Sequence, residues 1–233
     1  IWLAPGSINN TMKHLTIRNA TVGLLVEGNS GSIPSKLSVS NSKIYNSLAV
    51  NILARSSSIT GENVVLGNAG NGSLICTNGG SYSFIHSTIA NYWSNGFRSG
   101  AALQLSNYNP DEVMGTGEQD LVASFINCIV DGNTFLELSL NSNEANLFDF
   151  SFTNCLIKFN DTNNQFDSDP LYDFTNPDYY SNIFLNEDTA FLSTANNDFR
   201  LGNSSFAIGK ADQATAILVP LDIQGTDRTS EPD

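Results

Sequence analysis

Few side chains in this sequence are suited to proton or metal chemistry, and they are scattered. The segment "DTNNQFDSD" sets Asp161, Asn163, Gln165, Asp167 and Asp169 at alternate positions. Hard oxygen donors in a tight loop suit Ca2+, the one cofactor the sequence suggests. The segment lacks the central Gly and the distant Glu of an EF-hand, so a plain acidic loop is the competing reading. Lys43 and Tyr45 stand two apart and would share an outward face. Such a pair could serve a polysaccharide lyase as base and partner, but a solvated face is the preferred reading. His86 falls at a turn position, where a backbone-satisfied imidazole is expected rather than a catalyst, and His14 has no evident partner. A glycoside hydrolase needs two carboxyl groups about 5–10 Å apart, and no stacked carboxylates emerge from the pattern below. Aromatic residues offer binding chemistry instead. "NYWSNGF" carries Tyr92, Trp93 and Phe97, with Tyr108 nearby in sequence. Rings at a loop mouth can stack on sugars or plug a turn.

These residues hang on a repeat. "SFINCIVDGN" (124–133) returns as "SFTNCLIKFN" (151–160) with Ser, Phe, Asn, Cys and the closing Asn in place. With the central Asn as a ruler, Asn19, Asn41, Asn63, His86, Asn127 and Asn154 align. The early steps are 22, 22 and 23 residues, and the step from 86 to 127 is nearly doubled. Two before the ruler come Ile17, Val39, Gly61, Phe84, Phe125 and Phe152; three after come Val22, Ile44, Leu66, Ile89, Val130 and Ile157. One alternating strand is ambiguous, but six in register at a fixed period imply stacked coils. The fold expected is all-β: a parallel β-helix, or solenoid, whose coils stack at about 4.8 Å. Its crossovers should be right-handed. Asn suits the bend because it tolerates left-handed φ. A second Asn column is expected at Asn46, Asn68 and Asn91.

Several consequences follow from that register. Cys128 and Cys155 should stack in the core, close enough to form a disulfide, with two free thiols the preferred reading. Asp131 and Lys158 should form a cross-coil ion pair. Three before the ruler come Thr16, Ser38, Thr60, Ser83, Ser124 and Ser151, an outward hydroxyl ladder that could dock a glycan or a protein. Ile85 and Ile126 should also point outward, under a loop or a partner. The doubled step holds an insertion, 106–120, rich in carboxylates, and long loops on rigid scaffolds often carry function. One domain is expected: coils over 1–160, and an irregular capping region over 161–233 to cover the last coil.

Composition limits the partners. Charged residues are only 14% of the chain, with 10 Lys and Arg against 23 Asp and Glu, net −13. That balance argues against a nucleic acid or an anionic membrane surface. No apolar run reaches transmembrane length, and the three cysteines form neither a CxxC nor a disulfide framework.

"DPLYDF" (169–174), "NDFRLGNSSFAIG" (197–209) and "LDIQGTDRTSEPD" (221–233) resemble the closing segment of right-handed parallel β-helix surface proteins of Bacteroidota. These are exported and often lipid-anchored, so the resemblance implies an exported protein at the cell surface or outer membrane, with further coils before Ile1. It implies no catalytic residue. Asp188-Thr189-Ala190 also resembles an O-glycosylation acceptor of that group. The function expected is a non-catalytic surface protein that binds polysaccharide or serves as an accessory subunit of an outer-membrane assembly. The alternative is a lyase or hydrolase with part of its site in the missing coils. A groove lined by basic residues or paired carboxylates would favour the enzyme; a flat face exposing Ile85 and Ile126 would favour a partner.

Overall fold

The computed structural model describes residues 1–28, 35–109 and 119–230. Residues 110–118, most of the expected insertion, lie outside them. The chain is all-β and winds as a solenoid-like stack of parallel strands. Each coil has three faces. Face A holds 37–40, 59–62, 82–85, Leu121–Ile126, Phe148–Thr153 and Tyr180–Ser181. Face B holds 42–45, 64–67, Thr88–Asn91, Ile129–Gly132, Leu156–Ile157 and Phe184–Leu185. Face C holds Val22–Glu27, 50–55, 72–77, Leu103–Ser106 and Leu138–Asn141.

The corner between faces A and B is made by residues in left-handed conformation: His14, Asn41, Asn63, His86, Asn127, Asn154 and Asn182, all with φ between 47° and 56°. Asn enters this region at low cost, and its amide then bonds the neighbouring coil. Asn63 Nδ2 donates to Asn41 Oδ1 at 3.0 Å, and Asn182 Nδ2 to Asn154 Oδ1 at 2.6 Å. The next corner uses Asn19, Asn46 and Asn68, each with φ 57°. Asn91 follows Asn68 in register but stays extended and buried. Its Oδ1 accepts from Ala69 N at 3.0 Å and its Nδ2 donates to Ala69 O at 2.9 Å.

The first coil corrects the expected ruler. Asn10–Lys13 pairs with 37–40, and Thr16–Arg18 pairs with 43–45. His14 therefore takes the first corner and Asn19 the second. Thr11, not Thr16, heads the hydroxyl ladder, which then runs unbroken through Ser38, Thr60, Ser83, Ser124 and Ser151. Both corners demand left-handed φ, so both select Asn, and the spacing alone placed Asn19 at the wrong one.

Inside face A the column Gly61, Phe84, Phe125, Phe152, Tyr180 builds a stack of rings. Consecutive centroids are 5.7, 4.9 and 5.8 Å apart, with planes within 11°. Each such contact is worth about 0.5–1.5 kcal/mol beyond its buried area. Cys128 and Cys155 are buried free thiols on face B, stacked as expected, with Cys128 N donating to Cys155 Sγ at 3.4 Å. Lys158 and Asp131 form the expected cross-coil pair at 4.0 Å.

The region after residue 160 does three different things. Over 161–180 it closes the end of the stack with Phe166, Tyr172 and Phe174 packed on Phe159. Residues 180–186 then form one more partial coil, which the sequence reading did not identify. From 187 onward the chain turns back along the outside of the stack. Asn68 Nδ2 donates to Asn197 Oδ1 at 2.8 Å, Asp212 N to Asn127 Oδ1 at 2.7 Å, and Arg228 Nη2 to Asn63 Oδ1 at 2.9 Å. This segment, 187–230, is a lateral strap rather than an end cap.

Candidate functional site: a trough between face B and the strap

The outer side of face B carries the column Lys43, Val65, Thr88, Ile129, Leu156, Phe184, each residue paired in register with the next. The strap passes this column on both sides without filling the space above it. On one side stands the hairpin Phe191–Ser193 with Asp198–Leu201. On the other stand 207–211 and 222–228, laid over the corner residues Asn63, His86, Asn127 and Asn154. Between them lies a cavity of about 350 Å³. That volume falls at the lower end of small-molecule sites, about 300–1,000 Å³. Leu192, Arg200, Lys210 and Gln224 on its walls are exposed, so it opens to solvent.

The floor exists because this outward column is apolar or neutral between Lys43 and Phe184. The walls are polar. Asn63 and Asn127 hold the strap through their amides, and Asn127 Nδ2 lies 3.1 Å from His86 Nε2. Phe199 anchors the hairpin: its ring lies over Gly67 in the adjacent outward column and touches Tyr92 and Phe191. Asp198 receives Nε and Nη2 of Arg200, at 2.8 and 2.5 Å, and those bonds pull its pKa below the usual carboxylate range. Asp222 Oδ1 accepts from Gln224 N at 2.8 Å and from Thr226 N at 2.7 Å. Lys210 lies over the rings of Phe206 and Phe184, 4.9 and 5.9 Å from their centroids.

The residues singled out from sequence are not gathered at one place. Tyr92 is a plug: its hydroxyl donates to Asp131 Oδ2 at 2.6 Å, and burial together with that carboxylate pushes its pKa up. Asp131 also accepts from Thr189 Oγ1 at 2.6 Å and from Gly132 N at 2.7 Å. Thr189 is therefore buried, its hydroxyl engaged. Trp93 is half-buried beside Tyr92, and Phe97 is 90% exposed. Tyr108 lies at the far end of strand Leu103–Ser106, where its carbonyl accepts from Asn78 N. It does not join the other rings. Ser83 pairs with Ser124 and Ile85 with Ile126 on the outer side of face A, all half-buried. The described end of the insertion, Gln119–Asp120, sits at Gly79–Gly80, the opposite end of that strand. In the acidic loop, Asp161 Oδ2 accepts from Phe166 N at 2.8 Å and Asp169 Oδ1 caps Leu171 N at 3.0 Å, while Asn163, Gln165 and Asp167 are exposed. Among the described residues no three His, Cys, Asp or Glu side chains gather as a metal site.

Lys43 is the one residue weighed for chemistry that enters the trough floor, and His86 enters its wall. Their company could not be read from sequence, because the strap that completes the site joins residues 85 to 165 positions apart. A second cluster that sequence did not signal is the buried pair of Arg98 and Glu137, with Glu137 also accepting from Ala102 N at 3.0 Å and Thr134 N at 2.8 Å. It locks the 92–102 loop. No helix among the described residues is long and apolar enough to cross a membrane. Comparison with protein-family models, with curated proteins and with solved structures returned no match.

Proposed function

We propose that this chain is a non-catalytic binding protein whose trough on face B takes an extended glycan. The observation that carries the reading is the unbroken column from Lys43 to Phe184. A straight floor with a small apolar side chain at most steps presents a repeating surface, and a linear polysaccharide is a repeating ligand. Asn154, Asn197 and Gln224 on the walls are half-buried or exposed and carry amides of the kind sugars bond, and Phe184 supplies a half-buried ring. The right-handed sense of the coils, and an exported position at the cell surface, belong to the same reading through the resemblance of 169–174, 197–209 and 221–233.

Lys43, His86 and the other basic residues on the trough favour a second reading, a polysaccharide lyase acting there. Binding is preferred to hydrolysis because the carboxylates on the trough are poorly placed to donate a proton. Asp198 is kept ionised by Arg200, and Asp222 is occupied by its own turn. The test is titration of the purified chain with a panel of linear oligosaccharides, repeated on Thr88→Trp, which fills the middle of the floor. Saturable binding that Thr88→Trp abolishes, with the sugar recovered intact, supports the reading. Recovery of shortened or unsaturated products replaces it with the lyase. Absence of any sugar binding, with a protein partner bound in fixed ratio, replaces it with the accessory-subunit role.

A further inference from the structure

Resting on the trough as the glycan site, we propose that its ligand is acidic: a linear oligosaccharide bearing carboxylate or sulfate groups. The chain as a whole repels such a ligand, with a net charge of −13. The trough does not follow the chain. Lys43, Arg200, Lys210 and Arg228 line it, four of the 10 Lys and Arg, while Asp198 and Asp222 are its only lining carboxylates among the described residues. Arg200 is paired with Asp198 and Arg228 is buried against Asn63, so Lys43 and Lys210 are the cations a ligand meets. A positive island in an acidic surface attracts anions locally and leaves the rest of the molecule to exclude nonspecific polyanions.

The placement of the charges sharpens the point. Lys43 rises from the floor itself, half-buried, and its ammonium makes no hydrogen bond or ion pair among the described residues. Its charge is felt through space by Asp198 on the facing wall. Lys210 stands at the other end, over Phe184. Five coil steps separate Lys43 from Phe184, about 24 Å at about 4.8 Å per step. Between them Val65 and Ile129 present half-buried apolar surface, and Leu156 is buried. An extended ligand with a negative group near each end meets an ammonium at both. A neutral sugar chain of the same length leaves both unanswered.

Calorimetric titration with three probes tests this: a galacturonic acid hexamer, a sulfated hexasaccharide and a neutral galactose hexamer. The acidic probes should bind at least about 10-fold more tightly than the neutral one, a difference of about 1.4 kcal/mol. That preference should shrink as salt rises from about 0.05 to 0.5 M. Lys43→Gln and Lys210→Gln should each lower the acidic affinity by about 5- to 10-fold, and exposed Lys13→Gln, off the trough, should not. Comparing the carboxylate with the sulfate probe shows which group is preferred. If the neutral hexamer binds as tightly as the acidic ones, the acidic inference fails and the glycan reading stands. If none of the three binds the folded chain, both fail together.

Discussion

The ring of Phe199 occupies the space a side chain at position 67 would need: a Cβ built on Gly67 would lie 2.1 Å from Phe199 Cε2. That contact seats the strap on face B and fixes one wall of the trough. Gly67→Ala should therefore unseat the hairpin 191–201 at a cost of about 1–3 kcal/mol, while the coils stay folded. Limited proteolysis should cut the variant first within 187–230. Cleavage spread evenly over the coils would show that Phe199 serves the whole fold instead.

The coils were legible in the sequence because a solenoid writes its register as a period. The inner column Val39, Gly61, Phe84, Phe125, Phe152 and the corner column Asn41, Asn63, His86, Asn127, Asn154 stand where the spacing put them. The first coil reads one corner out because it runs 27 residues from His14 to Asn41 where the next takes 22, and that excess of five equals the spacing between the two corners, so a 22-residue step lands on Asn19. The coil at Tyr180–Leu185 was missed because the cap residues before it, Phe166 to Phe174, interrupt the alternation, although Asn182 was there to be found. The trough was illegible for a deeper reason. Half of it is the strap, whose contacts are single events such as Arg228 on Asn63, with no repeat to announce them.

Gly61 departs from an otherwise bulky column because the ring of Phe84 leans over it: a Cβ would meet Phe84 Cδ1 at 2.3 Å. Gly61→Ala should push Phe84 out of the stack it begins with Phe125. Calorimetry should show a loss on the order of 1–3 kcal/mol. Phe125→Ala, which empties the middle of the stack, should cost more, about 3–5 kcal/mol. An unchanged melting temperature in Gly61→Ala would mean that the ring moves freely and that the stack is not rigid.

Burial, together with the neighbouring Cys155, pushes the Cys128 thiol well above its ordinary pKa, and burial does the same to Cys76. A thiol so held is scarcely ionised near neutral pH, and the thiolate is the reactive form. None of the three cysteines should react with iodoacetamide in the native protein, and all should react once it is unfolded. Peptide mapping without reductant should find no Cys128–Cys155 link. A linked peptide would overturn the free-thiol assignment.

Acid should release the strap before it disturbs the coils. Asp198 is held below the usual carboxylate range by Arg200, Asp212 by the Thr215 hydroxyl and N–H that it caps, and Asp227 by the hydroxyl and N–H of Thr229. A depressed folded pKa means that the released segment binds the proton more readily. The stabilisation is therefore complete above the unstructured value, near about 3.9, and is lost as pH falls through the lower folded values. Among the described residues, every carboxylate whose pKa is shifted downward lies beyond residue 160. Pepsin digestion below about pH 3.5 should accordingly remove 187–230 first, and with it half the trough, so that ligand bound at neutral pH is set free. Simultaneous loss of coils and strap would show that the two are one cooperative unit and that the site cannot open alone.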